Sequence, residues 1–300
     1  MPTKIEKDAV SGTNTTGHEW DGIKELNTPL PSWWVWVFVA TVVWSLVYVV
    51  LYPAIPLGET ATRGVFGYNS REEVADVMDG IAAERAEVID KISALSHDEI
   101  VADPDLASFA IRGGEAAFAD NCAPCHAPGG AGRPGFPALA DDAWLWGGTH
   151  DAIEYTIRYG VRSGHDEERY SEMPGFAEMI DGHERENLAH YVASLSNTIE
   201  FDADKAEHGA PVYAEQCASC HGDTGEGGRD FGAPRLNDAV WLYGGSLALI
   251  AKQIAAPQHG VMPAWEGRLD DATIKMLSIY VHTLGGGELT QSGLETGALQ

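Results

Sequence analysis

Cysteine is scarce in this chain: 300 residues hold only four. Cations are few as well, 19 Lys and Arg against 45 Asp and Glu, for a net charge of −26. That deficit argues against nucleic acid as a partner, which would need a basic face to replace condensed counterions. Long uncharged stretches are missing except for one. With 34 glycines and 15 prolines, the composition points to loop-rich small domains rather than long helical bundles. The length allows roughly two domains plus extras.

All four cysteines fall in two identical patterns, Cys122-Ala123-Pro124-Cys125-His126 and Cys217-Ala218-Ser219-Cys220-His221. C-x-x-C-H is the attachment pattern of c-type haem. Each sulfur adds to one haem vinyl group, and the adjoining His lies under the porphyrin as an iron ligand. Two copies with no cysteine left over make a strong signal for two covalently bound haem c groups. A zinc site would have to pool both cysteine pairs to reach four N/S ligands, and it would not explain the Met-Pro motif that follows each pair. A disulfide within C-x-x-C gives no reason for a following His twice.

In chain order, residues 1–31 are polar, and His18 reads as a solvent or interface residue. The one membrane-grade run is Trp33–Tyr52, which holds no charge. Twenty helical residues span about 30 Å, the thickness of a hydrocarbon core. Trp33, Trp34 and Trp36 at one end, with Tyr48 and Tyr52 toward the other, fit interfacial belts. Pro53 and Pro56 stop the helix. The run starts late, is long, and lacks a cleavage-type site, so it reads as an uncleaved anchor rather than a signal peptide. Lys24 on one side and Arg63 and Arg71 on the other leave the charge rule undecided. The haem motifs orient the chain instead, since bacteria attach haem c outside the cytoplasm.

From Glu59 to about Asp105 the chain reads as a tether. Apolar residues at near-helical period between Glu72 and Leu95 predict an amphipathic helix lying on a partner or on the first haem domain. The chain then repeats itself. Gly114, Phe118 and the first C-x-x-C-H recur as Gly209, Tyr213 and the second. Trp144-Leu145 and Gly147-Gly148 recur as Trp241-Leu242 and Gly244-Gly245. Met173-Pro174 recurs as Met262-Pro263, and Tyr191 as Tyr280. The first copy carries about eight extra residues, most simply within Ser163–Tyr170. Each copy predicts a short helix ending at C-x-x-C-H, a Gly-rich loop, W-L-x-G-G, a helix, a Met loop and a closing helix. This is the plan of a class I cytochrome c.

The predicted fold is therefore all-α: an N-terminal segment (1–32, cytoplasmic), a transmembrane helix (33–52), a periplasmic tether with an amphipathic helix (53–105), two tandem class I cytochrome c domains (106–200 and 201–290), and a tail (291–300). His126 and His221 are the expected fifth iron ligands, Met173 and Met262 the sixth. A thioether raises the potential relative to bis-His ligation and fills the coordination sphere. Met78, Met179 and Met276, in helix-like stretches, read as core filler. The spacings allow each Met to serve its own domain. Two domains about a pseudo-twofold axis could instead exchange Met loops, and both pairings stay open at this point.

With Thr15–Pro31 (TTGHEWDGIKELNTPLP), the Trp-rich span and the two haem domains in view, the chain resembles the dihaem FixP/CcoP-type subunit of cbb3-type cytochrome c oxidase over nearly its whole length. The resemblance implies a bacterial inner-membrane protein that is not catalytic on its own. It implies a soluble donor cytochrome c, a monohaem partner subunit as acceptor, and a haem–copper catalytic subunit that reduces O₂ and pumps protons. It also raises the crossed pairing, His126 with Met262 and His221 with Met173. Two other classes stand beside it. One is a free-standing membrane-tethered carrier, which the Thr15–Pro31 match disfavours. The other is a dihaem peroxidase, which needs a vacant or labile sixth position.

Overall fold

The computed structural model describes residues 4–289 and divides at Glu84/Arg85 into two compact units. The tail expected at 291–300 lies outside the described residues. Both units are helix-rich, and the described strands form two small hairpins.

In the first unit, β1 (Thr15–Trp20) pairs antiparallel with β2 (Ile23–Leu26). Asp21 and Gly22 between them have φ of 49° and 83°. Asp-Gly supplies the two positive φ values that a two-residue hairpin turn requires. His18 on β1 is exposed. Helix α1 (Ser32–Leu51) matches the uncharged run, and none of its residues is buried. Such a helix has no protein core to enter, and its length fits a single-pass anchor. A second hairpin, β3 (Pro56–Leu57) and β4 (Thr60–Ala61), follows. The chain then folds back so that Val65 and Phe66 N–H donate to the carbonyls of Val50 and Leu51. This satisfies two acceptors that a helix end leaves free. Tyr52 stacks on Tyr48 and meets Phe66 and Tyr68 edge-on, which forms an aromatic collar at that end of α1.

Helix α2 (Ser70–Ala94) starts in the first unit and ends in the second. Val74, Val77 and Met78 near its start are exposed. Its last turns bury Ile92, with Val88 and Ile89, against Ile100, Leu106, Ala110 and Met276. Helices α3 (His97–Ala102), α4 (Pro104–Asn121) and the short α5 (Ala123–His126) follow, then α6 (His150–Tyr159) and α7 (Gly182–Ser196). The second copy supplies α8 (Ala203–Gln216), α9 (Ala218–His221), α10 (Leu247–Ala255) and α11 (Asp271–Thr283). Side-chain caps mark the starts: Ser96, Asp103, Thr149, Asp181, Asp202, Ser246 and Asp270 each accept from first-turn amides, which satisfies the free donors there.

The closing helix of each repeat packs on helices of the other. α4 lies on α11, which also covers α6, while α7 lies on α8 and α10. One core joins Phe118, Ile153 and Ile157 of the first repeat to Ile274, Leu277 and Val281 of the second. The other joins Leu188 and Val192 to Tyr213, Ile250 and Ile254. Each repeat lends its closing helix to the other. The close crossings fall at Gly114, where an added Cβ would lie 2.3 Å from Met276 O, and at Gly209, where it would lie 2.3 Å from Asn187 O. Met276 is buried, as a core residue should be. Met78 and Met179 are exposed, at 58% and 60%, so neither fills a core.

Candidate haem sites

Each C-x-x-C-H sits where an α-helix tightens into a second short one. Cys122 ends α4, and its carbonyl accepts from the amides of Cys125 and His126. Cys217 ends α8 and does the same for Cys220 and His221. The four thiols are free; Cys122 is half-buried and Cys217 buried, while Cys125 and Cys220 are exposed. Burial, and then the neighbouring cysteine, push the Cys122 and Cys217 thiols up to about 11. Among the described residues no three His, Cys, Asp or Glu side chains converge on a metal-sized site.

His126 and His221 are both buried. The Nδ1 of His126 lies 3.0 Å from Pro137 O, and that of His221 3.0 Å from Pro234 O. A carbonyl only accepts, so Nδ1 carries the proton and donates, and Nε2 keeps a free lone pair. Burial lowers both imidazole pKa values, which holds the rings in the neutral form a metal requires. The carbonyls belong to Pro137 and Pro234, matched positions of the repeat; their part in fixing the tautomer was not visible in the sequence.

The methionines lie in the exchanged halves. Met262 packs on the core that contains Phe118, Cys122 and Ile157. Met173 packs on the core that contains Tyr213, Cys217 and Ile254. Backbone bonds repeat the exchange: Phe176 and Ala177 donate to Ile254 and Ala255, and Trp265 and Glu266 donate to Ile157 and Arg158. Cys122 is thus in one core with Met262, and Cys217 with Met173.

Haem fits these residues. Besides the free Nε2 lone pairs, the Trp241 indole N–H is buried with no partner among the described residues, whereas its counterpart Trp144 donates to Gly286 O at 2.6 Å. A buried indole N–H needs an acceptor, and a haem carboxylate is of that kind. The tight W-L-x-G-G turns bring the indoles against Gly148 and Gly245, so these motifs pack closely.

Helical units built around C-x-x-C-H with a buried His define a c-type cytochrome, here behind a membrane-grade helix. The family model described as the N-terminal domain of cytochrome oxidase-cbb3, FixP, matches residues 12–59. The model for cytochrome c oxidase, cbb3-type, subunit III, matches residues 109–192 and 204–281. The cbb3-type cytochrome c oxidase subunit FixPc of Rhizobium leguminosarum bv. viciae is 51% identical over 93% of this chain and 98% of its own. The FixP subunit of Bradyrhizobium diazoefficiens is 48% identical over 96% and 100%. The CcoP subunit of Azospirillum sp. is 47% identical over 94% and 98%. This chain belongs to the FixP/CcoP family of cbb3-type cytochrome c oxidase subunits. It is an electron-transfer subunit of the oxidase, with other oxidase subunits as partners, and not the catalytic one.

Proposed function

We propose that the chain binds two haem c groups, one through Cys122 and Cys125, the other through Cys217 and Cys220. His126 and Met262 flank the first iron, His221 and Met173 the second. The observation that carries this reading is the pair of buried imidazoles, each locked by a proline carbonyl with Nε2 free, next to cysteines that share a core with the methionine of the opposite repeat. The haem supplies an iron that alternates between ferric and ferrous and so stores one electron. With haem bound, an imidazole and a thioether from the protein would hold each iron, which would favour outer-sphere transfer and leave no open position for O₂ or peroxide. That is the requirement for a carrier and the opposite of what a peroxidase needs.

In this reading a soluble cytochrome c gives electrons to the chain. They leave for a monohaem partner subunit and then for the haem–copper subunit that reduces O₂ and pumps protons. Residues 1–32 face the cytoplasm and the haem-bearing part faces the periplasm. Purification in mild detergent through a C-terminal tag tests the assignment. The expected result is co-elution of a haem–copper subunit and a monohaem cytochrome. Elution of the chain alone, fully loaded with haem, would instead favour a free-standing tethered carrier.

A further inference from the structure

The extra segment in the first repeat does more than lengthen a loop. Sixteen residues separate Ile157 from Met173, but only eight separate Ile254 from Met262. The longer connection runs between the two Met loops. Val161 exchanges both backbone hydrogen bonds with Met262, at 2.9 Å each. Arg169 N–H donates to Gly160 O and Arg162 N–H to Arg169 O, which ties the segment on itself. On the other loop, Met173 N–H donates to His259 Nε2 at 3.1 Å.

Arg162 joins these two halves. Its Nε donates to Gly260 O at 2.7 Å, and its Nη1 donates to Ser171 O at 2.7 Å. Gly260 lies two residues before Met262, and Ser171 two residues before Met173. One guanidinium thus holds the carbonyl at the same offset ahead of each methionine. Arg162 is half-buried, and among the described residues no carboxylate forms an ion pair with it. Its charge is spent on two carbonyl dipoles, which makes both bonds charge-assisted. Its backbone sits at φ 51°, a left-handed conformation that a side chain of this kind rarely adopts. Beside it Gly160 is at φ 75°, and an added Cβ there would lie 2.3 Å from Met262 O. The segment is fitted closely to the Met262 loop, and the planar fork of arginine reaches both loops in a way a single ammonium does not.

We propose that Arg162 is a positioning residue that clamps the Met173 and Met262 loops together, so that the two sulfur–iron contacts are set jointly rather than independently. The inference rests on the ligand assignment above. It adds that a fault at one residue, which touches neither iron, is felt at both.

The test uses the full-length chain purified with its bound partners, as wild type, Arg162→Met, Arg162→Lys and Arg169→Met. Arg169 lies in the same segment but bonds Thr156 Oγ1 and Ala152 O rather than a Met loop. The readouts are the weak red absorption band of a thioether–iron bond, the low-spin ferric signals in electron paramagnetic resonance, and a redox titration. Arg162→Met should weaken the band, shift both ferric signals and lower both midpoint potentials. Arg169→Met should change neither signal. Arg162→Lys keeps the charge but loses the fork, so both signals should still move, and it decides the matter alone if Arg162→Met does not accumulate. A change at only one haem, no change at either, or full restoration by Lys would overturn the clamp. Absence of the thioether band in the wild type would instead overturn the ligand assignment itself.

Discussion

Single side chains set the chemistry at each site. In the crossed arrangement, Met262→His exchanges a thioether for an imidazole at the iron held by Cys122 and Cys125. That iron stays low-spin while its potential falls, on the order of 0.1 V or more within the roughly 0.8 V range that axial ligands span. The other haem changes little. A redox titration checks this, and two unshifted potentials would remove Met262 from the ligand set. Another side chain, His150, sets an acid limit on stability. It is buried at the start of α6, stacked on His282 from α11 at 3.8 Å and on His97 from α3 at 5.3 Å. Burial first, then the charges of His282 and His97, push its pKa down to about 4, against the opposing pull of Asp98 and Asp151. The unfolded chain returns it to 6.5, so between those values the unfolded state binds more protons. Its contribution is complete above about pH 6.5 and is lost as pH falls toward 4, by at most about 3 kcal/mol. Glu154, facing His97 and Arg158 from α6, acts in the same direction. Burial works to raise its pKa, but those hydrogen bonds prevail and hold it at about 2, so its share fades below about pH 4.5. Melting temperature should drop between about pH 7 and about pH 5, and His150→Phe should flatten that slope.

Helices meet here across the repeat boundary, and glycines set how closely. Gly114→Ala would put a methyl 2.3 Å from Met276 O and 2.6 Å from Tyr280 Cβ. Backbone cannot swing aside, so α4 and α11 must separate, at a cost of about 1–3 kcal/mol. Gly209→Ala should do the same to α8 and α7 through Asn187 O. Gly113→Ala meets the Met276 Sδ, a flexible side-chain atom, and should cost less. Gly80→Ala, on the open part of α2 with nothing near it, should stabilise by up to about 1 kcal/mol through helix propensity. Thermal melts of the four variants give the order directly. If Gly114→Ala proved as mild as Gly113→Ala, the α4–α11 crossing would be looser than a 2.3 Å approach implies.

For the molecule as a whole, charge and topology matter most. After Tyr52 the chain has 16 basic and 40 acidic residues, a net of −24. A basic donor would be steered to such a surface, and its rate of electron delivery should fall with salt as the Debye length shrinks below about 10 Å. Stopped-flow reduction at low and high ionic strength measures this; a flat profile would leave the charge with a solubility role only. A phosphatase fused after Gln300 should be active in whole cells, because the proposed orientation exports everything beyond α1. An inactive fusion would reverse the topology.

What the sequence alone determined is what short stretches of chain encode. C-x-x-C-H needs five contiguous residues, the anchor needs twenty uncharged ones, and the repeat is visible by alignment of the chain with itself. The N-terminal hairpin was missed, although Asp21-Gly22 is its turn signal. Tertiary structure decided which closing helix and which methionine pack in the core beside which C-x-x-C-H. The sequence is degenerate there. Gly114 and Gly209, Phe118 and Tyr213, and Tyr280 and Tyr191 place the same kinds of contact in both interfaces, so either closing helix suits either site by residue type. The same is true of residues drawn from distant positions, such as the imidazole column of His97, His150 and His282, or Arg162 between Ser171 and Gly260. No local pattern marks them, because each takes its meaning from a neighbour that only the exchange of repeats brings near.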